Sequence, residues 1–562
     1  MKRDLQTLYN QEYDIVIIGG GVHGLCTAWD ASLRGFRVAL VEKSDFGHAT
    51  SSGSFKIIHG GLRYLQHLGF RRMRISILER RRMMHMAPHL VHPLKFILPC
   101  YGHGMKGPEI MRFALLLNDI ISCDRNTLAD SQKQIPKGKI LSREACIEQA
   151  PYISPEGLTG GAVFYDAQMF NSERLTLSFA LSAVAEGAQL ANYVEATGLL
   201  RKREKVVGVK VKDQRTDETF ELRSKLVVNM SGPWSNTMIQ RLNPHVSRQP
   251  TKLSKGIQIL TRPLTDNTAF TVNSPQKDAS TTVSRGNRLY FVTPWHDHSF
   301  IGTTDELYES DPDHFVITEK DLELFLQALN RALPSIQLKR EDVLYWSGGL
   351  RPAGESDILN TSTADHTYRI IDHQKVDGIE GFLSAVGVKY TTCRFLAEQV
   401  VNLISKKLKG SVRFCKTAER RLEGGNIDDF NGFMNQTLQE TELDLKHTRR
   451  LVYHYGSKFS EVSKYCQEIK GAQAETLNLP SDLEEKQMTV LPAEIIYAVR
   501  KEMALTLADV VLRRTGLGAL GHPGQALLEF CGSIMGQELG WDEEKIQSEI
   551  AETEKRFHLP SS

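Results

Sequence analysis

What this 562-residue sequence lacks narrows it first. No stretch approaches ~18 consecutive apolar residues, so no helix is expected to span a membrane. Eight cysteines, at 26, 100, 123, 146, 393, 415, 466 and 531, form no CxxC pair. That scatter argues against a disulfide framework or a zinc site, and for reduced thiols in a cytosolic compartment. Neither sign of charge dominates: the formal net charge is +2, and composition gives no reason to expect nucleic acid as a partner. The opening Met1-Lys-Arg-Asp-Leu-Gln-Thr-Leu-Tyr-Asn has no apolar h-region, so neither a signal peptide nor a transit peptide is expected. Internal repeats and low-complexity tracts are missing too. His85, His89 and His92 have a ligand-like spacing, yet no acid or cysteine joins them. They read as helix-surface histidines, and no metal is expected.

What is present is more specific. The length suggests two or three domains, and a hydrophobic fraction of 41% supports a large core. Residues 14–18, Asp-Ile-Val-Ile-Ile, read as a strand running into Gly19-Gly20-Gly21-Val22-His23-Gly24. A helical stretch follows, then a second apolar strand at 38–41, ending in Glu42. This is the βαβ dinucleotide fingerprint with its terminal acid in place. Gly19 permits the tight turn, Gly21 lets backbone approach a pyrophosphate, and Gly24 lets helix and strand pack closely. The helix N-terminus offers N–H groups to phosphate, and Glu42 an acceptor for a ribose hydroxyl. A plain glycine-rich turn would leave Glu42 unexplained.

Past Glu42 a polar Gly/Ser/Thr segment, 48–54, reads as a loop. It leads to Lys56-Ile-Ile-His59-Gly-Gly61-Leu-Arg63-Tyr64. Residues 69–87 are helical and basic, with Arg71, Arg72, Arg74, Arg80, Arg81 and Arg82, and 110–121 form a second amphipathic segment. Both read as ordinary helices with a solvated and a core face; the second reading is a basic helix lying on an anionic membrane surface. The middle of the chain is β-rich, with short strands at 206–211, 226–230, 257–260, 289–292 and 299–302. The strand at 226–230 is expected beside the first dinucleotide strand. Near 382–386 a strand–turn–helix pattern returns. Gly387, Thr391 and Thr392 head a helix over 393–408, whose N-terminus offers an anion- or carbonyl-binding end. Residues 416–562 read as a separate helical domain.

These residues resemble, almost end to end, the FAD-dependent glycerol-3-phosphate dehydrogenases and related α-glycerophosphate oxidases. The likeness lies in the fingerprint, in Thr50-Ser51-Ser52 and Lys56 through Tyr64, in Met86-Ala-Pro-His-Leu and in Tyr165-Asp166 with Arg174. It continues through Asn229-Met-Ser-Gly232-Pro-Trp234, Ser254-Lys255-Gly256, Thr293-Pro-Trp295 and Ile301-Gly-Thr-Thr-Asp305. Ser347-Gly-Gly-Leu-Arg351-Pro352 and Gly387-Val-Lys389-Tyr-Thr-Thr-Cys-Arg394 follow. Ala493 through Thr515 is similar to the family's appended helical domain, which generic flavin oxidases lack.

The resemblance implies an α/β fold: a Rossmann-like two-dinucleotide-binding flavoprotein with a β-rich substrate domain and a C-terminal all-α domain. The flavin and substrate domain is expected over 1–415. Its FAD part is drawn from about 11–95, 165–245 and 343–408, its substrate part from about 96–164 and 246–342, and the helical domain is 416–562. FAD is the expected cofactor, held by Gly19, Gly21, Gly24, Glu42, Thr50, Ser51, Ser52, Lys56, His59, Gly61, Gly232, Gly387, Thr391 and Thr392. His59 is expected to pack or hydrogen-bond near the flavin rather than attach to it. The implied reaction takes hydride from C2 of sn-glycerol 3-phosphate and yields dihydroxyacetone phosphate, with electrons passing to membrane quinone or to oxygen. A phosphomonoester calls for converging cations. Arg63, Arg351 and Lys389 supply them, with Tyr64 beside Arg63, and Arg351, Lys389 and Gln258 are the catalytic candidates. Asp305 either orients an arginine or caps a turn. A cytoplasmic protein, peripheral on the inner face of the cell membrane and forming a homodimer, completes the expectation.

Three positions depart from the family pattern. Gln258 stands where histidine is expected, Ala364 where arginine is, and Val388 replaces a glycine. Gln258 cannot act as a base as an imidazole can. Two alternatives therefore accompany the main reading: an amine or D-amino-acid oxidase of the same flavin fold, which one arginine would serve, and a flavin-binding paralogue with weakened or lost catalysis.

Overall fold

The computed structural model describes residues 1–104, 107–242, 252–277, 287–352, 368–409, 413–472 and 490–560. Glu12–Ile18 and Val38–Val41 form the two fingerprint strands around the helix Val22–Leu33. Both strands are buried along almost their whole length, as parallel strands covered on two faces must be. Thr219–Asn229 pairs in parallel with Glu12–Ile18, as expected from its apolar end, and Phe382–Gly387 pairs in parallel beyond it. The order across this first sheet is Tyr368–Asp372, Phe382–Gly387, Thr219–Asn229, Glu12–Ile18, Val38–Val41 and Gln189–Ala191. Segments from three remote parts of the chain thus bring their carboxyl ends together, where the fingerprint turn lies. The helices Val22–Leu33, Ser172–Ala185 and Cys393–Lys409 cover one face and supply much of the largest apolar core, with Trp29, Phe179 and Val400 among its buried members.

A second sheet carries Leu253–Thr261 near one end, paired antiparallel to Val343–Pro352 and His298–Gly302. Its strands continue through Asn287–Trp295, Thr268–Lys277, Val91–Tyr101 and Leu158–Met169. The helix Glu319–Ala332, opened by a Thr318/Asp321 capping box, packs on this sheet through Leu322, Phe325 and Leu329. Val91–Tyr101 and Leu158–Met169 run unbroken through the expected boundaries at 95/96 and 164/165, and Val343–Pro352 belongs to this sheet rather than the first. Strand pairing, not chain position, sets where the layers meet.

The helix Phe70–Met86 departs from both readings of its arginines. Arg72 and Arg80 are buried. Arg80 binds Asp166 at 2.5 Å, Arg74 and Arg81 share Asp124, and Arg82 binds Glu79. These acids lie far along the chain or on the helix itself, so most of the basic face is neutralised internally; Arg71 is exposed.

After residue 415 the described chain is helical, from Phe430–Glu440 to Glu543–Glu554. Buried ion pairs tie these helices to the first sheet: Arg174 to Glu502 at 2.7 Å, and Asp45 to both Arg513 and Arg514 at 2.5 Å. No described helix is long and apolar enough to cross a membrane.

Candidate active site

A cavity of about 340 Å³ opens where the two sheets meet. Its wall includes Gly19, Gly21 and Glu42 from the fingerprint, Thr50, Ser51, Lys56 and His59 from the following loop, and Gly232 from the turn after Thr219–Asn229. Gln258, Arg351, Gly387, Lys389 and Thr391 complete it from the second sheet and the last strand–helix turn. Elements separated by more than 300 residues therefore share one wall.

The glycines differ in what requires them. Gly19 has φ +109°, and a Cβ there would lie 2.7 Å from the Met230 carbonyl oxygen. A Cβ on Gly24 would lie 2.0 Å from the Gly19 carbonyl oxygen, so this glycine serves helix–strand packing and stands outside the cavity wall. Gly21 is the N-cap of Val22–Leu33, with no side-chain cap of its own, and only Ser51 Oγ approaches its Cβ position. That leaves the helix N-terminus facing the cavity, as phosphate binding needs.

Several expected cofactor residues already have protein partners. Glu42 accepts from Gly20 N at 2.6 Å and Ser44 N at 3.0 Å, so a ribose hydroxyl would be a further bond to a carboxylate that backbone has positioned. Ser51 Oγ accepts from Val22 N, and Thr50 Oγ1 donates to Leu350 O, pinning the loop to the second sheet. Lys56 directs its ammonium to Ser172 and Glu173. Thr391 Oγ1 accepts from His59 N at 3.2 Å rather than capping its own helix. Ser52 bonds back to His48 and Ala49, and Thr392 is buried; both lie off the wall. Gly61 also lies off it, held to glycine by the Tyr64 ring, which would meet its Cβ at 2.5 Å.

The substrate candidates divide. Arg351 reaches the wall and pairs with Asp305 at 2.7 Å, and Ser254 Oγ donates to the same carboxylate. Asp305 thus orients an arginine. Lys389 reaches the wall with its ammonium over the Tyr64 ring, 4.2 Å from the centroid, and donates to the Tyr64 hydroxyl. Arg72 lies over the same ring at 4.6 Å. Tyr64 is one layer behind the wall, and Arg63 is exposed outside it. Gln258 is buried, its Nε2 donating to Gly53 O at 2.6 Å and Ser347 Oγ at 2.9 Å. Its amide nitrogen is thereby fixed, and its carbonyl oxygen is the group left to face a ligand. Val388 lines the cavity, and Ala364 lies outside the described residues.

Sequence reasoning missed three features. Asp45, three residues past Glu42, anchors the cofactor loop to the C-terminal helices through Arg513 and Arg514; only its neighbourhood to Glu42 could have marked it. His23 and Ser54 carry no local signal beyond lying in the glycine-rich turn and in the loop after Glu42. His23 Nε2, Ser54 Oγ and His59 Nδ1 are buried and make no hydrogen bond, and all three residues line the cavity. Buried polar atoms are ordinarily satisfied, so this wall fits a polar ligand along its length, and with the fingerprint it fits a dinucleotide. Burial pulls His59 down to about 3, with Lys389, Arg80 and Arg72 adding to it, and pulls His23 down to about 4, so both rings are neutral at neutral pH.

Comparison with known proteins agrees with this geometry. A family model described as FAD dependent oxidoreductase matches residues 14–392, and one described as the C-terminal domain of alpha-glycerophosphate oxidase matches 415–546. A glycerol-3-phosphate dehydrogenase of Synechocystis sp. is 30% identical, covering 98% of this chain and 97% of that protein. The mitochondrial glycerol-3-phosphate dehydrogenase of Macaca fascicularis is 31% identical, covering 98% of this chain and 74% of that protein. The crystal structure of the glycerol-3-phosphate dehydrogenase from Bacillus halodurans, complexed with FAD, superposes with a TM-score of 0.76 at 27% identity, covering 99% of this chain and 97% of that one.

Proposed function

This chain belongs to the family of FAD-dependent glycerol-3-phosphate dehydrogenases and α-glycerophosphate oxidases, and from that premise we propose that it oxidises sn-glycerol 3-phosphate, or a closely related phosphorylated polyol, to the 2-keto product. Bound FAD supplies the hydride acceptor. Arg351 and Lys389 enter the cavity from different elements and supply two positive charges to one small space. That pair is the observation that carries the proposal. A phosphomonoester needs such a pair, whereas a single arginine suffices for the carboxylate of an amino acid. Asp305 fixes the direction of the Arg351 guanidinium, and Tyr64 that of the Lys389 ammonium, so neither cation has to reorganise when charge develops.

As hydride leaves C2, the hydroxyl proton must go elsewhere. Gln258 accepts a hydrogen bond from that hydroxyl through Oε1 but cannot take the proton, which is lost to water while the two cations stabilise the developing alkoxide. Turnover is accordingly slower than a histidine at this position would give.

FAD, when bound, would supply the redox chemistry, and membrane quinone would be the acceptor of its electrons. The amphipathic helix Pro108–Ile121 supports a peripheral contact: Phe113, Leu116 and Ile120 share its outer face and are 61%, 58% and 62% exposed. The arginines of Phe70–Met86 contribute less to such a contact than their number suggests, because they are paired internally.

Anaerobic addition of candidate substrates to the flavin-loaded protein tests the reading. Glycerol 3-phosphate should bleach the flavin's visible absorption, and D-amino acids and N-methylated amines should not. Bleaching by an amine or amino acid alone would overturn the proposal, and bleaching by none would favour the weakened paralogue.

A further inference from the structure

His23 is the second residue of the helix Val22–Leu33, at a variable position of the glycine-rich turn. Its imidazole crosses to the carboxyl end of Phe382–Gly387: a Cβ on Gly387 would lie 2.2 Å from His23 Nε2 and 2.6 Å from Cε1. Gly387 is thus kept to glycine by this ring, and the ring joins the first and last segments of the first sheet. Packing alone would be served by any planar apolar side chain. An imidazole leaves a buried nitrogen unsatisfied, which is destabilising unless a ligand completes it. His23 Nε2 is such a nitrogen, and the residue lines the cavity.

Sheet order says which part of the cofactor can reach it. Glu42 ends the strand on one side of Glu12–Ile18, and Gly387 ends a strand on the other side. The phosphate-facing helix N-terminus lies between them. A dinucleotide with its adenosine ribose at Glu42 and its phosphates at Gly21 therefore extends its other half toward Gly387 and Lys389, where His23 stands. We propose that His23 is a cofactor-contacting residue whose imidazole hydrogen-bonds to the ribityl–flavin half of FAD and makes no contact with the adenosine half. The ring is neutral at neutral pH and also bonds to the Lys389 backbone, so the unpartnered Nε2 is the nitrogen that meets the cofactor.

The inference rests on the cofactor and not on the substrate reading, and its test uses no substrate. Flavin-stripped protein is titrated with FAD and, separately, with ADP, which carries the adenosine and phosphates alone. His23→Phe should weaken FAD binding about tenfold, the loss of one hydrogen bond, and leave ADP affinity unchanged. His23→Asn, which restores a polar group, should recover part of the loss. The visible band of bound FAD should shift in His23→Phe. Unchanged FAD affinity with an unchanged spectrum would overturn the proposal. So would equal weakening of FAD and ADP, which marks a distorted fingerprint turn. Should the phenylalanine variant not fold, His23→Ser removes the ring without adding bulk and is read by the same two titrations.

Discussion

The two ends of the cavity are built differently. At the fingerprint end the polar groups are already bonded to protein: Glu42 to two backbone N–H groups and Ser51 to Val22 N. At the inner end His23 and His59 each keep an unsatisfied buried nitrogen, and two cations line the wall. The first end is a preformed mould for a constant part of the ligand. The second is left incomplete for groups that arrive with the cofactor and the substrate. Changes at the first should therefore damage folding and cofactor retention, and changes at the second should act on chemistry.

The largest effect is expected where the C-terminal helices hold the mould. Burial alone would raise the Asp45 carboxyl, but Arg514 and Arg513 outweigh it and hold it well below the usual carboxylate range. Arg514→Met should cost about 3–5 kcal/mol of stability, because a buried carboxylate loses one of its partners. Chemical denaturation followed by flavin release measures it. The contribution is present above the ordinary carboxyl range and is lost as pH falls through the depressed folded value. The variant should therefore differ most from the parent near neutrality and least in acid. A loss below 1 kcal/mol at neutral pH would remove the clamp from the account.

Arg351→Met acts at the other end. Flavin should be retained, while kcat/KM for glycerol 3-phosphate falls by an amount equivalent to roughly 2–4 kcal/mol. A change in melting temperature with unchanged kinetics would mark the Arg351–Asp305 pair as structural only.

The fingerprint end was legible because its signal is local: short apolar strands, a helical stretch, glycines at fixed offsets and a terminal acid lie within 29 residues. Helix Cys393–Lys409 and strand Val38–Val41 were legible for the same reason. The inner end is assembled by tertiary packing, and local pattern says little about it. Arg63 sits in the right motif yet is exposed and outside the cavity wall, while Arg351 and Lys389, chosen on the same grounds, reach it. The arginines of Phe70–Met86 read as a charged surface because Asp124 and Asp166, which neutralise Arg74, Arg80 and Arg81, lie 43 to 86 residues further along the chain. His23 carried no local mark at all; its meaning appears only when Gly387 is beside it.

Smaller gains sharpen the comparison further. Gln258→His with Ala364→Arg should raise the rate of flavin reduction roughly tenfold, by more than the two single changes predict if they act as a unit. Stopped-flow reduction measures it, and no gain in the double variant would show that neither position carries catalysis here. The smallest effect concerns the outer surface. Joint replacement of Phe113, Leu116 and Ile120 by serine should reduce vesicle flotation and leave substrate-driven bleaching intact. Neutralising Arg71 alone should change flotation little.

The central claim is that Arg351 and Lys389 together select a phosphorylated alcohol. Single-turnover reduction of the flavin by glycerol 3-phosphate against glycerol, in the parent, Arg351→Met and Lys389→Met, tests it most directly. The parent should prefer the phosphorylated substrate by at least about a hundredfold, the worth of two charge-assisted contacts, and each variant should lose much of that preference. An undiminished preference in both variants would contradict the account.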